Sequence, residues 1–145
     1  MILFLDFDGV LHPVGKRTGG ETNFANLLLL EEWLRANKHV NVVISSSWRA
    51  VMDLEVLQHI FSEDLRSRII DACPEIAREP EPEFWRHAEI MAWINLNHYS
   101  GQWLALDDAG YEFPPEFPQL VVCDREIGID ESIIKELTTR MLSHA

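Results

Sequence analysis

Cysteine, basic residues and long apolar runs are all scarce in this chain of 145 residues. The two cysteines, Cys73 and Cys123, have no metal-binding spacing. The sequence neither supports nor excludes a disulfide between them, and reduced, buried thiols in a cytoplasmic protein are our expectation. No apolar stretch approaches the length that crosses a bilayer, so we expect no membrane partner. The apolar start carries Asp6 and Asp8 and lacks basic residues, which is unlike a signal peptide.

Positive charge is also scarce, because 12 basic residues face 24 acidic ones and the net charge is −12. Such a field repels nucleic acid and anionic membranes unless basic residues gather locally. A phosphorylated substrate would therefore need a metal ion or a local basic patch. The length predicts one domain over residues 1–145, large enough to bury a core without disulfides.

Apolar runs alternate with segments of helical periodicity, which predicts an α/β domain with a mostly parallel sheet. The predicted strands are Ile2–Asp6, Val40–Ser45, Arg68–Asp71, Trp103–Leu106 and Leu120–Cys123. The predicted helices are Phe24–Asn37 after an Asn23 cap, Trp48–Ile60, a short one from Ser62 to Leu65, Phe84–Asn97, and a last one capped by Asp130.

The first strand runs directly into two carboxylates, Asp6 and Asp8, followed by Gly9. Side chains at i and i+2 of a strand point the same way, so both carboxylates would emerge together at its end. Two like charges so close are costly unless a cation or a shared proton relieves them, which indicates a metal site. The alternative is that these residues only open a turn, since Asp and Gly both favour turns.

Two further predicted strands also end in polar groups. The second leads into Ser45, Ser46 and Ser47, and the fourth leads into Asp107 and Asp108. Ligands of open parallel sheets bind outside the carboxyl ends of the strands. Carboxylates from two strands and a hydroxyl from a third suit Mg²⁺ and a phosphate.

These motifs, in this order, resemble the haloacid dehalogenase (HAD) superfamily of aspartyl-phosphate phosphohydrolases. The resemblance rests on Asp-Phe-Asp-Gly-Val-Leu, the apolar strand into serines and the late Asp-Asp pair, and covers residue 2 to about residue 108. It implies a Rossmann-like three-layer sandwich with a five-stranded sheet. It further implies that Asp6 is the nucleophile and a Mg²⁺ ligand. Asp8 would be the general acid and base and would bind the metal through its backbone carbonyl. Asp108 would bind the metal directly, and Asp107 would act on it through water.

The phosphate-binding residues are less clearly marked. The family pattern favours the Ser46 hydroxyl, with Ser45 as the small residue before it, while a helix cap before Trp48 is the other interpretation. The family also places a cation, usually lysine, near the start of the helix before the last acidic strand. This helix contains no lysine. Arg86 stands at that place, and Arg49 is its competitor.

The loop from Gly15 to Gly20 follows the nucleophile, where the family has a flap, and its Lys16 and Arg17 could counter substrate charge. An exposed loop with solvated cations is the alternative. Little chain is left for a cap domain, so we expect a capless or minimally capped enzyme. Its open site would admit large phosphorylated substrates, such as protein or nucleic-acid ends, or else a partner subunit would close it. Trp48 is expected to line the site. The Ser-Ser-Ser-Trp-Arg and Leu-Asp-Asp forms faintly resemble small capless members associated with RNA-end repair.

The sequence therefore predicts a Mg²⁺-dependent phosphomonoester hydrolase working through phospho-Asp6. The alternative is a binding or regulatory module that keeps the fold and the metal without turnover, motivated by arginine in place of lysine. A receiver-type phosphoacceptor domain fits less well, because its acceptor aspartate ends the third strand, where this chain offers only Asp71.

Overall fold

A computed structural model describes residues 1–15 and 23–143 of the chain. Its sheet has five strands, all parallel, in the spatial order β3-β2-β1-β4-β5. Along the chain they are β1 (Ile2–Leu5), β2 (Asn41–Ile44), β3 (Ile69–Ala72), β4 (Trp103–Asp107) and β5 (Leu120–Val122). The predicted α/β class is confirmed, and the sheet is wholly rather than mostly parallel.

The helices cover both faces of the sheet, as the alternating pattern predicts. They are α1 (Leu27–Ala36), α2 (Leu54–Gln58), α3 (Trp85–Leu96) and α4 (Glu131–Ser143), joined by 3₁₀ turns at Ser47–Ala50, Glu63–Arg68 and Gly110–Glu112. Asp130 begins α4 as expected, because its Oδ1 accepts a hydrogen bond from the Ile133 N–H at 2.9 Å.

Alternation along the central strand divides the core into two layers. Leu3 and Leu5 pack on the side that includes Leu34 of α1 and Leu137 of α4. Ile2 and Phe4 pack on the opposite side, with Trp93 of α3. Since neighbouring side chains of a strand face opposite ways, a strand covered on both faces is apolar throughout. Its first polar residue, Asp6, therefore marks the carboxyl end of the strand, where the sheet meets the site.

The predicted helix Trp48–Ile60 is wrong. The chain forms a 3₁₀ turn over Ser47–Ala50, and α2 begins only at Leu54. The Ser46 hydroxyl accepts the Trp48 N–H at 3.2 Å and starts the turn, while extended backbone at Asp53 (φ −66°, ψ 156°) separates it from α2. The apolar periodicity belongs to two short elements that share a buried side.

The other boundaries shift by a residue or a few. The first helix begins at Leu27 rather than Phe24, because Phe24 has a positive φ of 63° that no helix accommodates. Asn23 therefore does not cap it. The predicted short helix from Ser62 is a 3₁₀ turn, Glu63–Arg68. Most of the predicted flap, including Lys16 and Arg17, lies outside the described residues.

No helix among residues 1–15 and 23–143 combines the length and the apolar character that a bilayer crossing requires. Both cysteines are free thiols buried in the core.

Candidate active site

Three carboxylates meet where β1 and β4 end side by side. Asp6 follows β1, Asp107 is the last residue of β4, and Asp108 comes next. The Asp6 N–H donates to the Leu106 carbonyl at 3.1 Å, which continues the pairing of the two strands to the edge. One carboxylate oxygen from each of the three aspartates lies within 4.8 Å of the other two. The structure thus brings together three of the four predicted metal-binding residues through their side chains.

Glycine at position 9 permits this close approach. Gly9 has a φ of +74°, and a Cβ added there would lie 2.4 Å from Oδ2 of Asp108. A side chain at this position would both strain the backbone and displace the carboxylate. The loop after β1 can therefore fold back over Asp108 only because residue 9 is glycine.

Burial and mutual repulsion disfavour ionisation of the cluster in the absence of a cation. Burial raises the pKa of Asp6 from 3.8 to about 9, and the nearby Asp107 adds to the shift while Arg86 opposes it. Burial also raises the pKa of Asp107, to about 6, again against the effect of Arg86. A carboxylate cluster with this property is stabilised by a positive ion.

The donor set fits a magnesium ion. All three aspartates offer hard carboxylate oxygens, which Mg²⁺ prefers. Oδ2 of Asp107 is fully buried and has no hydrogen-bond partner among the described residues, although buried polar atoms rarely go unpaired. The Asp8 backbone carbonyl also accepts no hydrogen bond from another described residue and is free to be a ligand.

The Asp8 carboxylate lies outside this cluster and is held by two ring N–H groups. Its Oδ1 is 2.7 Å from Nε2 of His12, and its Oδ2 accepts the indole N–H of Trp48 at 3.1 Å. Trp48 therefore lines the site as expected. About half of the Asp8 side chain is exposed, so the carboxylate can still reach a bound molecule.

The contacts of His12 fix its tautomer. Its Nδ1 accepts the backbone N–H of Phe24 at 3.3 Å, so the proton of the neutral ring lies on Nε2. His12 then donates that proton to Asp8. The buried imidazole therefore orients the Asp8 carboxylate.

Ser45 and Ser46 lie where predicted, buried at the end of β2. Ser46 performs the capping role, since its Oγ accepts the Trp48 N–H. A hydroxyl that accepts one hydrogen bond keeps its own O–H to donate, so the cap leaves Ser46 able to bind an anion.

Arg49, one of the two candidate cations, is committed to the protein itself. Its Nε donates to the Cys73 carbonyl at 2.7 Å, and its Nη1 donates to the carbonyls of Ser45 and Ser46 at 2.9 Å. Its Nη2 pairs with Glu89. Arg49 therefore fixes the serine turn against the end of β3 and against α3.

Arg86 has unused donors. Its Nε is 3.3 Å from Oδ2 of Asp107, but the angle gives no hydrogen bond, and Nε and Nη1 are buried without a partner among the described residues. Its Nη2 is 4.0 Å from Oδ1 of Asp6. Carboxylates of Glu89 and Glu112 lie 3.8 Å away. Arg86 is thus a cation beside Asp6 whose hydrogen-bonding capacity is not consumed.

A family model describing the HAD domain in Swiss Army Knife RNA repair proteins matches residues 2–133. The chain belongs to this HAD family. No curated protein and no solved structure gives a significant match. The match includes every site residue described above, from Asp6 to Asp108.

Sequence reasoning missed part of this HAD site. The sequence analysis did not single out His12, which is buried against Asp8. The signal was the four-residue spacing from Asp8 across Gly9, whose turn brings His12 back to the carboxylate.

Proposed function

We propose that this HAD protein is a Mg²⁺-dependent phosphomonoester hydrolase that works through a phosphoryl group on Asp6. The observation that carries the proposal is the company of Asp6 at the end of β1. Asp107 and Asp108 form with it a carboxylate cluster suited to a cation, and Arg86, whose Nε and Nη1 have no hydrogen-bond partner among the described residues, lies within 4.0 Å of Asp6 and 3.3 Å of Asp107. A phosphate bound between a metal ion and Arg86 would meet the Asp6 carboxylate.

Asp6, Asp107 and Asp108, with the Asp8 carbonyl, would hold the metal. When bound, Mg²⁺ supplies positive charge that offsets the carboxylates and the phosphate oxygens. This charge also favours the ionised form of Asp6, which is the form that acts as a nucleophile.

The proposed reaction has two displacements at phosphorus. An oxygen of Asp6 attacks phosphorus, and the bond to the leaving-group oxygen breaks as Asp8 gives that oxygen a proton. Asp8, now ionised, accepts a proton from water as the water oxygen attacks phosphorus. The bond to Asp6 then breaks, phosphate leaves, and Asp8 is again protonated for the next turnover.

Arg86 and Ser46 would bind the phosphoryl oxygens. The Arg86 guanidinium can present two parallel N–H groups to a phosphate, a geometry that lysine does not offer. Ser46 would add its O–H from the end of β2. Ser45 contributes a small buried residue that lets the turn close, with its carbonyl held by Arg49.

The proposed substrate is a phosphorylated end of a nucleic-acid strand. The family is described from RNA repair proteins, which supports this class. About half of the Asp8 side chain is exposed in the part of the chain that the structure describes, which supports access by a large molecule. The net charge of −12 opposes nucleic-acid binding in general, so contacts would have to be local to the site.

Trapping the covalent intermediate tests this mechanism. Protein mixed with a phosphorylated substrate and Mg²⁺ is quenched and treated with borohydride, which reduces an aspartyl phosphate to homoserine. Homoserine at position 6 in the peptide mass spectrum is expected, and none in Asp6→Asn. Turnover without homoserine at this position would refute the covalent mechanism.

A further inference from the structure

A concave surface continues from Arg86 away from the carboxylate cluster. It consists of two adjoining cavities of about 200 and 370 Å³, both lined by Arg78, Trp85, Arg86 and Glu89. Because Arg86 also lies beside Asp6, the part of a molecule next to a phosphate at Asp6 can reach this surface. We call it the Trp85 groove.

Trp85 differs from the other tryptophans in having no partner. Its indole N–H makes no hydrogen bond, and its ring makes no aromatic contact, with any described residue. Each of the other four tryptophans has a partner within the protein. The indole N–H groups of three donate hydrogen bonds, from Trp33 to Thr138, from Trp48 to Asp8 and from Trp93 to Asp71, and the Trp103 ring packs against Phe4. A partly exposed indole in a groove offers a flat face to a ligand.

Arg78 adds positive charge that the protein does not use. It is exposed in the loop between β3 and α3, and among the described residues it has neither an ion pair nor a hydrogen bond. Arg49 also lines the smaller cavity, but it is bound to backbone carbonyls and to Glu89. Arg78 is therefore available for an anionic group distinct from the phosphate that Arg86 would hold.

The first turn of α3 reinforces this charge. Helix α3 begins at Trp85 with no side-chain cap and no acidic residue in its first turn. The free N–H groups of such a turn carry partial positive charge and favour anions. Trp85, Arg78 and this turn together present an aromatic face beside positive charge, while Glu75, Glu89 and Glu112 also line the cavities.

We propose that the Trp85 groove is a substrate subsite beside the phosphate and that it binds the terminal nucleotide of a phosphorylated strand. The base stacks on Trp85, and Arg78 contacts the phosphodiester that joins this nucleotide to the next. The assignment rests on the proposed hydrolase function. An aromatic platform beside a free arginine suits a substrate that alternates bases with phosphates.

Screening limits the opposing charge to nearby groups, because repulsion from distant carboxylates is screened beyond about 8–10 Å at ordinary salt. Arg78, Arg86 and the α3 terminus would act on the strand end within that distance, against Glu75, Glu89 and Glu112 of the same cavities. Binding is expected to cover only the terminal one or two nucleotides.

The test compares substrates that do and do not carry a terminal base. They are single-stranded ribo-oligonucleotides with a 3′- or 5′-phosphate, the same strands with an abasic terminal nucleotide, and glycerol phosphate. The variants are Trp85→Ala, Trp85→Phe and Arg78→Gln. Lys38→Gln is the matched charge control, because Lys38 precedes β2 at the opposite edge of the sheet. Each variant is first checked by its unfolding curve.

Trp85→Ala is expected to lower kcat/KM for an oligonucleotide, relative to glycerol phosphate, by about 5- to 150-fold, the loss of one stacked base. Trp85→Phe should retain most of the preference. Wild type should handle the abasic strand about as poorly as Trp85→Ala handles the normal one. Arg78→Gln should weaken binding and lower its salt dependence by about one counterion, and Lys38→Gln should change neither.

A second readout separates this inference from the hydrolase proposal. Fluorescence anisotropy follows binding of the same oligonucleotides to Asp6→Asn protein with and without Trp85→Ala. Failure of the wild type to hydrolyse any substrate overturns the hydrolase, while Trp85-dependent binding would still support the subsite. Equal losses on oligonucleotide and glycerol phosphate, unchanged binding in Trp85→Ala, or Trp85-dependent selection of a phosphotyrosine peptide instead would each overturn the subsite.

Discussion

At the scale of single residues, the site depends on a few side chains that hold others in place. His12 and Trp48 each donate an N–H to Asp8, so both oxygens of the proposed acid and base are oriented. Arg49 holds the serine turn, which leaves Arg86 to face Asp6. The sequence could not distinguish the two arginines, because Arg49 follows the serines at a predicted strand end, Arg86 stands at the start of a predicted helix, and only tertiary contacts show which one has free donors.

Replacing His12 by alanine is expected to slow the steps that need Asp8. The complete contribution of a general acid or base is about 10²–10⁴-fold, and we expect the variant to lose at least about tenfold of it. The loss should be larger for an alkyl phosphate than for an aryl phosphate, whose leaving group needs less protonation. Steady-state kcat/KM on both substrates, which reports the first displacement, provides the measurement. An equal loss on both would mean that His12 does not act through the proton that Asp8 gives to the leaving group.

Replacing Gly9 by alanine is expected to destabilise the protein by about 1–3 kcal/mol, because the added Cβ meets Asp108 and the backbone has a positive φ. It should also weaken Mg²⁺ binding, since Asp108 must move. Urea unfolding and metal titration check both effects. Gly110→Ala is the control, since its Cβ would meet nothing closer than 3.5 Å. Unchanged stability and metal binding in Gly9→Ala would contradict the close approach.

At the scale of elements, the sequence predicted strands better than helices. Apolar runs such as Val42-Val43-Ile44 are buried on both faces of a parallel sheet, so their ends are sharp in the sequence. The segment from Trp48 to Ile60 has helical periodicity, but extended backbone at Asp53, which makes no side-chain cap, divides it into two elements. The delayed start of α1 follows from the backbone at Phe24, which composition does not show.

One connection depends on a buried acid that the sequence did not indicate. Glu31 of α1 accepts the Ser62 N–H at 2.7 Å and the Ser62 hydroxyl at 2.8 Å, which joins α1 to the Glu63–Arg68 turn. Ser62→Ala is expected to cost about 1–3 kcal/mol, because a buried carboxylate oxygen loses its donor. Chemical denaturation checks this against Ser67→Ala, an exposed serine of the same turn. Equal stabilities of the two variants would contradict the role of Glu31.

At the scale of the whole molecule, function and stability oppose each other. The site gathers buried carboxylates in a chain that already has a net charge of −12. Burial raises the pKa of Asp6 to about 9 and that of Asp107 to about 6. A raised carboxyl pKa favours folding below the unfolded value, near 4, and this contribution is lost as pH rises through the folded pKa.

The metal-free protein is therefore expected to lose stability between about pH 4 and pH 9. Asp6→Asn cannot ionise and should be more stable than wild type by about 2–4 kcal/mol at pH 7, with the difference growing over this range. Mg²⁺ should stabilise wild type, by about 2.7 kcal/mol at a hundred times its dissociation constant. Urea unfolding across pH, with and without Mg²⁺, measures each term. A pH-independent difference would contradict the raised pKa of Asp6.

The most direct test is release of phosphate from an aryl phosphate and from a phosphorylated oligonucleotide, with and without Mg²⁺, in wild type and Asp6→Asn. We predict release that requires Mg²⁺ and disappears in the variant, with no loss of folded structure. Release that persists in Asp6→Asn would contradict the role of Asp6. Metal binding in the wild type without release from either substrate would contradict the hydrolase and favour a non-catalytic binding module.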